Sequence, residues 1–150
     1  MQDNAELKVK GTLTMVLQKE NGDVETFQKD NIIVNGGFDF ICDAIANASR
    51  GAVMSHIGVG DSSAAAAAGQ TDLQAATNKV RQAATYAHTA GTKTFTLSTT
   101  FGAGTASFGI TEAGVFNAAS AGTMLDRVVF SVINKGANDV LTSTFTFTLS

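Results

Sequence analysis

Few side chains in this 150-residue sequence could do chemistry: two histidines, His56 and His88, one cysteine, Cys42, and 13 carboxylates. Acyl transfer needs a nucleophile, a base and a group that orients the base, and neither histidine lies in a G-x-S-x-G or H-E-x-x-H context. In an alternating register His56 shares a face with Met54 and Gly58, and His88 with Tyr86 and Ala84, so each reads as a structural or surface histidine. Their spacing gives no support to a metal site completed by a carboxylate. The lone Cys42 rules out an intrachain disulfide and any zinc site of several thiolates, and is expected as a small buried apolar residue. Glu112 stands out because Ile110, Val115 and Phe116 surround it with apolar neighbours. A carboxylate there is expected to be buried and paired, with Arg127 as the candidate partner, and no second carboxylate stands at a spacing that suggests acid–base work. Gly58-x-Gly60 lacks the third glycine of a dinucleotide loop and reads as a turn. Catalytic, cofactor-binding and metal-binding residues are therefore all expected to be absent, and the chain is not expected to be an enzyme.

Charge points the same way. The balance of 13 acidic against 10 basic residues gives a net charge of −3. Lys79, Arg81, Lys93, Arg127 and Lys135 are scattered rather than striped, and the ten phenylalanines fall mostly at strand-core positions. A nucleic-acid groove with stacking aromatics is not expected. No apolar run reaches the roughly 20 residues that span a bilayer, and the polar Met1-Gln2-Asp3-Asn4-Ala5-Glu6 is unlike a secretory signal. The expectation is a protein made and kept in solution, with neither nucleic acid nor membrane as partner. Charged residues make up only 15% while Ala, Thr, Ser and Gly abound, which suits a surface covered by neighbours. With no proline, Gly, Asn and Asp must build the turns.

The elements that would position these residues are mostly strands. Leu7, Val9, Gly11, Leu13, Met15 and Leu17 alternate with polar residues, Glu20-Asn21-Gly22-Asp23 gives a hairpin signal, and a return strand is expected over about Val24 to Lys29. Phe38, Ile41, Cys42, Ile45 and Ala46 recur at helical spacing, predicting a helix that ends near Ser49-Arg50-Gly51. Met54 to Gly60 reads as a strand. Ser62 to Gly69, with its five alanines, reads as a surface loop. Thr71-Asp72 should cap a short helical turn through Ala76, and Val80 to Thr89 is expected as one strand. Thr92 to Phe101 sets Phe95, Leu97 and Phe101 against hydroxyls; Ser107 to Ile110 and Gly114 to Asn117 read as short strands around Thr111-Glu112-Ala113; Thr123 to Ile133 reads as a long one. The last strand alternates Leu141, Ser143, Phe145, Phe147 and Leu149 with Thr142, Thr144, Thr146 and Thr148. The fold expected is mainly β: a single antiparallel β-sandwich or jelly-roll-like domain over residues 1–150, with one or two short helices and a short N-terminal arm over about 1–6.

The order Asn31-Ile-Ile-Val-Asn-Gly-Gly, Ile57-Gly-Val-Gly-Asp, a small-residue loop ending in Thr71-Asp72-Leu73, Arg81, Ile110-Thr-Glu-Ala-Gly-Val-Phe-Asn-Ala, Gly122-Thr-Met-Leu-Asp-Arg-Val-Val-Phe and Ile133-Asn-Lys-Gly resembles small virion proteins of tailed bacteriophages. The resemblance spans about residues 31–150. It implies a structural role for the Gly, Glu and Arg positions, either as a capsid cement (decoration) protein or as a tail-fibre or baseplate component.

With no internal repeat and no heptads, the cement role is the preferred expectation. The major capsid protein and further copies of this chain, as dimer or trimer, would be its partners; other tail proteins are the alternative. The location would be the virion, more readily its capsid surface than its tail, after assembly in the host cytoplasm. Candidate contacts are Gln2, Asp3, Asn4 and Ala5 in the arm, Ser62, Ser63, Ala66 and Gln70 in the alanine loop, and Asn134, Lys135 and Asn138 in the last turn.

Overall fold

A computed structural model describes residues 6–150. Its first strand, β1 (Val9–Gln18), turns back through residues 19–23 into β2 (Val24–Asp30). Gly22 takes a positive φ of 93°, where a side chain would be strained, and its N–H donates to the Lys19 carbonyl. The Asp23 N–H donates to Asn21 Oδ1, so the Asn-Gly hairpin forms where the sequence places it. After β3 (Ile32–Ile33) comes the helix α1 (Asn35–Ala46), and then the strands β4 (His56–Gly60), β5 (Lys79–Ala83), β6 (Thr85–His88), β7 (Thr94–Phe101), β8 (Gly109–Phe116), β9 (Met124–Asn134) and β10 (Val140–Leu149).

These strands form two five-stranded antiparallel sheets, in the orders β2-β1-β10-β7-β6 and β3-β9-β8-β4-β5. The arrangement is a β-sandwich. At the centre of the first sheet the register sets Leu13 against Phe145 and Phe145 against Leu97, with Leu17, Leu141 and Phe101 aligned two turns of the pleat away. All six are buried. They face Ile57, Val59, Ile110, Ala113, Val115, Val128 and Ile133 of the second sheet in one core. Each such side chain apart from Ala113, fully buried, contributes about 1.5–3 kcal/mol. The opposite face of the first sheet is a hydroxyl ladder, with Thr12 across from Thr146 and Thr146 across from Thr96. Lys8 and Ser150 continue the β1–β10 pairing, exchanging both backbone hydrogen bonds at 2.7 and 3.0 Å.

Several expectations need correction. The stretch Val80 to Thr89 is two strands, because the chain leaves one sheet for the other at Ala84, whose N–H donates to the Ser55 carbonyl. Gly109 to Phe116 is one strand rather than two, which puts Glu112 in mid-strand. Gly58 and Gly60 lie inside β4, not in a turn. Among the described residues one helix forms, as the fold class allows, but α1 runs from Asn35 to Ala46 and stops short of Ser49, with Asn47 donating its N–H to the Asp43 carbonyl and its Nδ2 to Asp43 Oδ1.

The helix also packs on a different side from the one its periodicity suggests. Gly37 is its buried residue, and a Cβ there would run into the Leu125 carbonyl, so close approach of backbone to backbone decides which side docks. Phe38, Cys42, Ile45 and Ala46 are left exposed and Ile41 half-buried. Cys42 is thus a surface thiol, contrary to its composition-based expectation.

One acid lies inside the sandwich. Asp126 pairs with Val115 across β8 and β9, next to an irregularity in register, and its Oδ1 accepts the Val115 N–H at 3.1 Å. Burial pushes this carboxyl well above the usual carboxylate range; the Val115 hydrogen bond opposes the shift only in part.

Candidate functional site

The densest polar arrangement lies on the outer face of the second sheet. Gly114 of β8 is opposite Arg127 of β9, and Glu112 is one pleat along on the same face. Arg127 Nε donates to Glu112 Oε2 at 2.8 Å, and Nη2 stands 2.7 Å from the same oxygen. Both side chains are fully buried. An ion pair out of water needs its remaining valences filled. The covering loop fills most of them: the Gln74 N–H donates to Glu112 Oε2 at 2.9 Å and the Ala75 N–H to Oε1 at 2.8 Å, while Arg127 Nη2 has, among the described residues, only its ion-pair contact. Arg127 Nη1 donates to the Ala64 carbonyl at 2.9 Å and to Gln70 Oε1 at 3.0 Å.

The helical turn expected at Thr71 to Ala76 does not form. The segment stays irregular, and the amides of Gln74 and Ala75 donate to the Glu112 carboxylate. This clamp explains the glycines of β4. Gly58 pairs with Gly114 and Gly60 with Glu112, leaving a bare strip on the sheet. Leu73 and Ala75 fill that strip; a Cβ on Gly60 would collide with the Glu112 carboxylate, and one on Gly58 would press on Phe116 and Leu73.

The alanine loop is fastened from inside as well. Gln70 Oε1 accepts the Ala67 N–H at 3.0 Å while its Nε2 donates to the Ala65 carbonyl at 3.0 Å. Ser62 Oγ accepts the Ala64 N–H at 3.2 Å. Gln70 is therefore a half-buried strut and not a free contact residue, and Ser62 and Ala66 are also half-buried; Ser63 is exposed.

Beside the clamp, Arg81 of β5 ties two loops together. Its guanidinium lies 3.5 Å from the centre of the Phe116 ring, Nη2 donates to Asp72 Oδ1 at 3.0 Å, and Nη1 donates to the carbonyls of Ala118 and Ala121. Partial burial works to raise the Asp72 pKa, but hydrogen bonds from Lys79, the Leu73 N–H and Arg81 hold it below the usual carboxylate range.

The remaining candidates are dispersed. Asn134 ends β9 rather than lying in the turn; it and Asn138 of the turn are exposed, with Asn138 Nδ2 donating to Glu20 Oε2 at 3.2 Å. Lys135 is buried instead of projecting outward: its Nζ donates to the Gly102 carbonyl at 2.9 Å, and burial lowers its pKa despite nearby Asp139. Gln2, Asp3, Asn4 and Ala5 lie outside the described residues. His56 Nδ1 is 2.9 Å from Ser55 Oγ, and exposed His88 places Nδ1 2.8 Å from the Thr94 carbonyl, which gives each ring a local structural partner. Among the described residues no cluster of three or more His, Cys, Asp or Glu could hold a metal, and no helix is long and apolar enough to cross a membrane. Arg81 and Asp72 were invisible as a site in the pattern of charge; only their places in the motif order singled them out. Comparison of the chain with models of known protein families, with curated proteins and with solved structures gave no match in any of the three.

Proposed function

We propose that the chain is a structural protein of a tailed-phage particle, a cement protein that binds the outer surface of the major capsid protein lattice and stabilises the shell. One observation carries the reading beyond the resemblance. Five of the segments that carry that resemblance, Ile57 to Asp61, Thr71 to Leu73, Arg81, Ile110 to Ala118 and Met124 to Arg127, meet at one sheet, and on its outer face Gly, Glu and Arg residues from them fasten a loop of small residues. In that cluster Glu112, Arg127, Arg81 and Asp72 each hold loop backbone through at least one hydrogen bond. Such a loop reaches a partner already ordered, so less conformational freedom is lost on binding.

Copy number per particle, measured by quantitative mass spectrometry on purified virions, tests the reading. Hundreds of copies fit a shell lattice. Six, twelve or eighteen would assign the chain to the tail, and none would remove it from the particle. Exposed Ala65 and Ala67 offer a local test, since a glutamate at either should lower shell occupancy while leaving the melting temperature of the free protein within a few degrees.

A further inference from the structure

At one end of the sandwich the core does not close. An apolar groove of about 570 Å³ opens there between α1 and the first sheet, walled by Phe40 and Ile41 on the helix and by Val9 and Phe95 on the strands. Its floor includes Leu97, Leu125 and Phe147, which are core residues, so the groove is the sandwich interior reaching the surface. Of the eight large hydrophobic side chains most exposed among the described residues, four line it: Leu7 (64%), Ile45 (70%), Val53 (73%) and Tyr86 (62%). Phe38 (50%) extends the same apolar surface along the helix. With almost no polar group converging on it, the groove lacks the anchors that orient a specific small molecule. It suits apolar side chains presented by a protein.

We infer that this groove is covered by a second copy of the same chain, with the helix of each copy seated on the sheet wall of the other. Two features favour a copy of itself. The helix stripe and the groove lie side by side on one face, so a two-fold axis brings projecting side chains of each molecule to the recess of the other, as an isologous contact requires. The charges are complementary in the same sense: α1 carries Asp39 and Asp43 and no basic residue, while the sheet wall ends at Lys93, whose carbonyl accepts the Leu149 N–H beside the groove. None of these three charges has an ion-pair partner among the described residues. With roughly 100 Å² exposed on each of the five side chains, two facing copies remove on the order of 1,000 Å² from water, the lower range of a specific interface.

Self-association in solution is independent of the virion reading, and either can fail alone. Sedimentation equilibrium of the full chain at about 5–500 μM should give twice the 15.4 kDa chain mass at the upper end. Ile45→Asp and Val53→Asp, both at exposed positions that leave folding intact, should return it to monomer. Lys93→Glu should weaken the dimer about tenfold, and adding Asp43→Lys should restore it. A wild-type monomer at 500 μM overturns the inference, as does a dimer indifferent to Ile45→Asp. A monomer whose binding to purified shells is abolished by Ile45→Asp overturns it too, by giving the groove to the capsid protein.

Discussion

Glu112→Gln puts the loop clamp to its hardest test. The substitution conserves shape and leaves one oxygen to accept from either Gln74 or Ala75, but it strips Arg127 of its counter-charge where both side chains are fully buried. Removing one partner of a buried pair costs about 3–5 kcal/mol. For a domain of this length each kcal/mol moves the melting temperature by about 2–4 °C, so a fall of roughly 6–20 °C is expected by circular dichroism, with urea unfolding giving the free energy directly. Arg127→Met should cost about as much, because it abandons the carboxylate and also frees the Ala64 carbonyl. The double variant Glu112→Leu with Arg127→Met should be less destabilised than the sum of the singles, since neither charge is then stranded. It should still fall short of wild type, because the Gln74 and Ala75 amides lose their acceptor, at about 1–3 kcal/mol for each group left buried. Limited proteolysis should then cut within residues 62–78, and should spare the fastened wild-type loop. A loss under 1 kcal/mol for Glu112→Gln, or strictly additive singles, would refute the view that this pair holds the loop.

Three further outcomes follow from other parts of the fold. Asp126 binds a proton in the folded protein at pH values where the unfolded chain has released it, so its contribution is fullest below the unfolded carboxylate pKa of about 3.9 and is lost as pH rises toward the folded value, by up to about 1.4 kcal/mol per pH unit; Asp126→Asn should remove that part of the slope in urea titrations at stepped pH. Asp72 has the opposite sign, its lowered pKa adding stability above the usual carboxylate range that is lost on acidification, so Asp72→Asn should flatten the acid limb of the same titration. Gly60→Ala should lower the midpoint of urea unfolding by a margin equal to about 1–3 kcal/mol, because its new methyl group meets the Glu112 carboxylate in a packed layer; an unchanged midpoint would mean the loop can lift away freely.

Alternation made the sheets legible. Leu141, Phe145 and Phe147 point to the core, and Asn21-Gly22 forms its turn, because period and turn chemistry are local properties that the residues themselves impose. The contact between Glu112 and Arg127 was legible for a different reason: a charge in an apolar strand must find its opposite. What escaped the sequence depends on distant partners. The Ala75 amide bonds a carboxylate 37 residues away, a partner that the local capping signals at Thr71-Asp72 do not disclose. Alternation runs smoothly through Ala84 and cannot reveal that the chain changes sheets there. A helical stripe shows that α1 has an apolar side, but the bare backbone of Gly37, which does the docking, contributes nothing to such a stripe. Glycines inside β4 imitate a turn until the loop that needs their emptiness is placed over them. The burial of Lys135 follows from the nearby Gly102 carbonyl, a neighbour that spacing does not disclose.

The pairing of β1 with β10 ties the architecture to the order in which the chain is made. The middle of the first sheet joins the first of the described strands to the last of them, so until residues 140–149 leave the ribosome the β1–β2 hairpin waits with one edge open and Leu13, Met15 and Leu17 uncovered. Closing a loop that spans nearly the whole chain makes folding a late, non-local event. Nascent chains stalled before residue 140 should therefore be protease-sensitive throughout the first sheet, and loss of the last ten residues should act on the hairpin at the opposite end of the sequence.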